Sequence, residues 1–250
     1  MSDQKQFDSP AQEALKKISE EKLLETMKPY NDLVLENFDR IKALVELYVS
    51  LQSSAEFSSN LALDEILRVS VVFTHATLED FLRTMAAKLL PESDEQVLNQ
   101  IPLLGLNTSG RAEKFSLGQL VRFKGESVDD VIAQSVQEHL KRSSYNNIDD
   151  ITALLKSLGI VVSQVNQSFP KLAELMERRH LIVHRADRSE PIGSNKPDVK
   201  DIDGLAVTEW LGAVVQFIID ITPQIATRHL VSGGGIEKTG GQSKSGSKNA

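Results

Sequence analysis

The 250-residue sequence predicts an all-α protein, a helical bundle, and three observations carry that prediction. Apolar residues recur at spacings of three and four, as in Val34, Phe38, Ile41, Val45 and Tyr48, which lays one stripe along a helix of 3.6 residues per turn. No stretch alternates with the period of two that a strand facing a core requires. Pro91, Asn147, Gly159 and Pro170 fall at the ends of the periodic runs, where helices start and stop.

Taken in order, residues 1–10 read as a frayed start, and a weak helix through Leu15, Ile18 and Leu23 is expected to close at Lys28-Pro29. A stronger helix covers 31–53. Together these form an N-terminal helical extension over 1–55. Residues 60–90 make the most apolar helix, greasy nearly all round at Val71-Val72-Phe73, and such a helix belongs in the middle of a bundle. It keeps one polar line, Arg68, His75, Glu79 and Arg83, within about 80° at ~100° per residue. The line reads first as a solvated face with i,i+4 pairs; the alternative is that His75 and Glu79 face a cleft.

Pro91 ends that helix, and 91–112 are loop-like around Pro102, Gly105 and Gly110. Residues 111–124 hold Arg111, Lys114, Arg122 and Lys124 around Phe115 and Phe123, a second possible basic contact surface. A helix is expected over 126–142. Another runs from Ile148 to Leu158, with Asn147 as N-cap, Asp149 and Asp150 in the first turn and Gly159 at its end. Pro170 suits the first turn of the next helix. Residues 189–204 form a polar loop, of a length more often functional than incidental. Helix returns over 205–230 through Trp210, Val214, Phe217 and Ile221, with Pro223 kinking or shortening its end. The bundle thus spans 56–231, and 232–250 form a flexible Gly/Ser/Lys-rich tail.

Composition narrows the function classes. The absence of cysteine excludes disulfides, cysteine zinc sites and a thiol nucleophile. No apolar run is read as reaching the ~18–20 residues of a membrane span, and the N-terminus lacks a signal-peptide core, so no membrane association and a cytoplasmic location are expected. The net charge of −7 argues against broad coating of nucleic acid. Basic charge is nevertheless concentrated locally: Arg178, Arg179, His180, His184, Arg185 and Arg188 crowd one helical stretch, interleaved with Leu181, Ile182 and Val183.

On a helical wheel Leu172, Leu175, Met176, Ile182, Val183 and Ala186 share one side of that stretch, and Arg179 falls near its centre. A guanidinium there needs a partner, since an unpaired buried charge costs several kcal/mol; Glu79 or a phosphate would serve, or an ordinary salt bridge inside the bundle. His184 lies about 140° round from Arg179 and ~7.5 Å along the axis. Either the arginine wraps round, the helix is distorted, or two copies of the stretch face each other. His180 and His184 have the i,i+4 spacing of a zinc pair, but neither the Glu of HExxH nor a third ligand is evident, and no metal is expected.

Arg179-His180-Leu-Ile-Val-His184 resembles the R-x(4–6)-H motif of HEPN-domain ribonucleases, with the polar residue often found after the Arg. The surrounding stretch, with Thr74-His-Ala-Thr-Leu-Glu-Asp-Phe-Leu-Arg83 and Ser144-Tyr-Asn-Asn147, is similar to the RiboL-PSP-HEPN branch over roughly residues 60–230. The resemblance implies a HEPN-type bundle that dimerises so that two motif helices meet in a composite cleft. It also implies metal-independent cleavage of RNA by attack of the ribose 2′-OH on the adjacent phosphate, without a cofactor. On that footing His184 is the candidate general acid/base, since an imidazole moves protons near neutral pH. Arg179 is the phosphate clamp, His180 an auxiliary polar group, and Glu79 a residue holding Arg179 or His184 in place. Arg178 also fits the motif spacing; with Arg185 and Arg188 it is a candidate RNA contact. A role in defence, as a toxin or in stress response is implied, with an antitoxin-like protein partner. The alternative is a non-catalytic HEPN-like module that binds RNA, a nucleotide or a protein; a third reading is a helical interaction protein with incidental histidines.

Overall fold

The computed structural model describes residues 10–53, 60–104, 117–188 and 199–232. Seven α-helices occur among them: α1 (Pro10–Gln52), α2 (Asn60–Leu89), α3 (Glu95–Leu98), α4 (Val128–Leu140), α5 (Ile148–Ser157), α6 (Phe169–Arg185) and α7 (Gly204–Ser232). The only β pairing among the described residues is an isolated antiparallel bridge between Arg188 and Val199. The chain is all-α. The Gly/Ser/Lys-rich tail beyond 232, most of the polar loop after Arg188 and the first part of the basic stretch, residues 111–116, lie outside the described residues.

α2 is the hub, packing against α1, α4, α6 and α7. Its fully buried Leu67, Val71, Leu78, Phe81, Leu82, Met85 and Leu89 share one stripe about 100° wide, whereas Val69 and Phe73 on other faces are exposed. α7 adds Val214, Phe217, Ile221 and Ile225, and α6 adds Leu172, Leu175 and Met176, to the same core. α1 contributes Met27, Tyr30 and Val34 to it, with Tyr30 edge-on to Phe81 at 6.2 Å between ring centroids. Residues 1–55 were expected as an extension; where described, they pack as part of the bundle.

Two expected helix breaks do not occur. α1 runs unbroken through Pro29 and α7 through Pro223. A helical proline orphans the carbonyl four residues back, here that of Glu25 or Ile219. Both residues are exposed, so water can satisfy the freed oxygen and the helix continues. The 25 residues Gly204–Arg228 of α7, which hold an 18-residue window of mean hydropathy 1.5, are also long and apolar enough to cross a membrane, against the expectation of no such run. Several of its apolar side chains face the core of the bundle instead.

Helix ends follow the sequence closely. Asn147 Oδ1 accepts the Asp150 N–H at 2.8 Å and so caps α5. Replacing Asn147 with alanine is expected to cost about 1 kcal/mol in a denaturant titration, the usual value of a side-chain N-cap. Gly159, at φ 67°, ends the same helix in the left-handed region, and Ile160 N–H returns to the Leu155 carbonyl at 2.8 Å.

The end of α6 is less ordinary. Ala186 (φ 48°) and Asp187 (φ 60°) are both left-handed without being glycine, a conformation that surrounding structure must hold in place. Asp187 is 1% exposed, and its Oδ2 accepts from Arg68 Nε at 2.8 Å and Arg178 Nη2 at 2.7 Å. Both guanidiniums also donate to the Lys200 carbonyl, and Arg178 reaches that of Asp201 at 2.9 Å. One carboxylate therefore joins α2, α6 and the segment that leads into α7.

Candidate functional site

The polar line of α2 is not the solvated face that its i,i+4 spacing suggests. Arg68 and His75 are buried and Glu79 and Arg83 half-buried, because the line turns toward α6 and toward the 141–147 segment that leads into α5. Arg83 Nη2 donates to Glu79 Oε1 at 2.8 Å and to the Ser143 carbonyl at 2.7 Å, and its Nη1 donates to the Leu140 carbonyl at 3.1 Å. The guanidinium thereby ties the turn that follows α4 to α2. Burial opposes ionisation of Glu79, but the Arg83 bond and charge, with His75 and the Tyr145 backbone, outweigh it and hold the carboxyl below its ordinary range.

Glu79 is thus the partner of Arg83, not of Arg179. Arg179 is half-buried and donates from Nη1 to Asn146 Oδ1 at 3.4 Å. Among the described residues no carboxylate pairs with it, in contrast to Arg68, Arg83 and Arg178. Its charge also bears on His75, which is 1% exposed. Burial first, then the Arg179 guanidinium, push the His75 imidazole below its ordinary pKa, against the opposing pull of Glu79 and a hydrogen bond with the Tyr145 backbone. His75 Nε2 is buried without a hydrogen-bond partner among the described residues.

Arg178 corrects the wheel. The motif pattern places Arg179 on the packing stripe and Arg178 among the RNA contacts, yet Arg178 is 6% exposed, held by Asp187 and two carbonyls. It is a structural cation and does not face a ligand. Adjacent helical residues differ by ~100°, so Arg178 turns into the buried network while Arg179 meets Asn146. The stripe itself stops early: Val183 is 46% exposed and Ala186 is exposed.

His180 and His184 are both exposed, their ring centroids 4.8 Å apart. α6 is α-helical through Arg185, so no distortion brings His184 round to Arg179. The contacts of Arg179 and His184 take them in different directions within one chain. Arg188 is exposed, and Arg185 is half-buried. Among the described residues no group of three or more His, Asp or Glu side chains converges in a way that could hold a metal ion.

Asn146 is the residue of this cluster that sequence reasoning missed. Its signal lies in Ser144-Tyr-Asn-Asn147: Asn147 is consumed by capping α5, which leaves Asn146 without a local duty. Tyr145 is buried between, and burial pushes its phenol up to about 12.

Residues 35–224 match the family model described as RiboL-PSP-HEPN. No curated protein and no solved structure matches the chain.

Proposed function

Since the chain belongs to the RiboL-PSP-HEPN family, we propose that it is a metal-independent endoribonuclease whose site is built on the C-terminal half of α6. The observation that carries this reading is the division of labour between neighbouring arginines. Arg178 is neutralised inside the fold, whereas Arg179 is held by an amide oxygen and, among the described residues, has no carboxylate paired with its charge. A guanidinium without a carboxylate can stabilise charge that grows on phosphate oxygens.

In the proposed reaction the 2′-oxygen attacks the adjacent phosphorus and the P–O5′ bond breaks. The products are a 2′,3′-cyclic phosphate and a free 5′-hydroxyl. The proton of the 2′-OH passes to a base and the departing 5′-oxygen receives one. His184, exposed at the end of α6, exchanges protons with the reacting oxygens. His180, one turn earlier, orients the substrate, and exposed Arg188 contributes to the electrostatic attraction of RNA.

Arg179 and His184 diverge within one helix, so the complete site is assembled from two copies of α6. Arg179 of one protomer then stands opposite His184 of its partner. Exposed Val183, between the histidines, supports this by offering that contact an apolar surface. A role in defence, as a toxin or in stress response, restrained by an antitoxin-like partner, fits an enzyme that would otherwise degrade cellular RNA.

The test is incubation of purified protein with RNA in excess EDTA, for wild type and His184→Ala. Cleavage by wild type alone, leaving 2′,3′-cyclic phosphate ends, is expected. Absence of cleavage by wild type points instead to a non-catalytic RNA- or nucleotide-binding HEPN module. Equal cleavage by both proteins removes His184 from the reaction.

A further inference from the structure

His75 has no part in the reaction just described, yet its surroundings are specific. It lies on α2, buried where that helix packs against α6. A hydrogen bond with the Tyr145 backbone occupies one side of its ring, and Nε2 is left buried and unpartnered among the described residues. An acceptor in that state is left desolvated without compensation unless a donor reaches it. The charged groups acting on the ring are Arg179 from α6 and Glu79 from its own helix, with Arg83 one step further, bound to Glu79. Glu79 is ionised and committed to Arg83, and a carboxylate cannot donate. Arg179 carries five N–H groups, and its side-chain hydrogen bond among the described residues is the long 3.4 Å one to Asn146.

We propose that His75 is a positioning residue for Arg179: the half-buried guanidinium, which makes no hydrogen bond to Nε2 in the structure, swings to donate to that lone pair, and this bond, with the one to Asn146, sets the direction in which Arg179 meets a phosphate. The inference rests on the reading of Arg179 as a phosphate clamp. Two neutral acceptors, an imidazole and an amide, orient the guanidinium without cancelling its charge, which a carboxylate would do. Burial and the neighbouring cation both oppose protonation of the ring, which keeps the lone pair available at neutral pH.

Two arms test this on the full chain. The first follows the His75 side-chain nitrogens by 15N NMR in wild type and in Arg179→Ala, without RNA. The wild-type Nε2 signal is expected where a hydrogen-bonded acceptor resonates and to move to the free-acceptor position in the variant, with the His75 titration midpoint rising as the cation is removed. An unmoved Nε2 signal overturns the proposal. The second arm measures affinity for a 2′-O-methylated RNA oligonucleotide, which cannot be cleaved by 2′-oxygen attack. His75→Leu is expected to weaken binding roughly tenfold, the weight of one charge-assisted hydrogen bond, and His75→Gln, which retains an acceptor, to restore most of it. Wild-type affinity in folded His75→Leu overturns the proposal. If His75→Leu fails to fold, the NMR arm decides, since it leaves His75 in place. If wild type does not bind the oligonucleotide, the phosphate-clamp reading fails, and the NMR arm still decides whether His75 holds Arg179.

Discussion

Replacing Asp187 with asparagine is expected to destabilise the protein by about 3–5 kcal/mol, the usual consequence of removing one partner from a buried ion pair. The large value follows from the arrangement. One oxygen of Asp187 serves both Arg68 and Arg178, each at least nine-tenths buried. Glu65 assists Arg68 at 3.0 Å from the more exposed side, while Arg178 has no second salt bridge among the described residues and feels only the more distant charge of Asp201 besides. Asparagine tolerates the left-handed φ of 60° at this position, so the substitution isolates the charge from the backbone. Asp187→Ala adds backbone strain and is expected to lose more. At about 2–4 °C per kcal/mol for a chain of this size, the melting temperature falls on the order of 10 °C. Chemical denaturation is the direct measurement, and a loss below about 1 kcal/mol for Asp187→Asn would mean that the network does not hold α6 to α2. Arg178→Met in the Asp187→Asn background should recover part of the loss, because it removes one of the stranded charges.

The second large effect separates the two adjacent arginines. Arg179→Ala is expected to slow single-turnover RNA cleavage on the order of 10²–10³-fold, as loss of a preorganised charge donor does elsewhere, while changing stability by less than about 1 kcal/mol. Its side chain is tied to the fold, among the described residues, by one long hydrogen bond at a half-buried position. Arg178→Ala is expected to do the reverse: unfolding becomes easier by about 3–5 kcal/mol, and protein that remains folded retains cleavage. The pair of variants discriminates because both arginines satisfy the motif spacing. If folded Arg178→Ala is inactive and Arg179→Ala is active, the clamp has been assigned to the wrong residue. Arg179→Lys is a useful third variant. An ammonium keeps the charge but lacks the planar fork that could serve Asn146, His75 and a phosphate together, so only partial activity is expected.

Much of the bundle was legible in the sequence because its signals are local. Apolar spacing identified α2 as the central helix, and Asn147, Gly159 and Pro170 marked the ends of α5 and α6 through capping and backbone preferences that need no tertiary partner. The crowded stretch over 178–188 was likewise visible as charge in excess of what a helix needs, and its resemblance to the family agrees with the match over residues 35–224. Pro29 and Pro223 misled because whether a proline breaks a helix depends on what surrounds the orphaned carbonyl, and that is not written in the residues nearby.

Partnership among the charges was settled only by the tertiary structure. The wheel put Arg179 on the packing stripe and offered it Glu79, but the fold sends Arg178 to Asp187 and gives Glu79 to Arg83. The physical reason is range. A helix determines the ~100° step between neighbouring side chains, whereas the carboxylate or carbonyl each one meets comes from segments distant in sequence, as far as 119 residues apart for Arg68 and Asp187. The sequence by itself determined an all-α bundle and the helix that bears the motif. The packing of α2 and α6, and the left-handed turn at Asp187, decided which arginine is structural and which is left to meet a ligand.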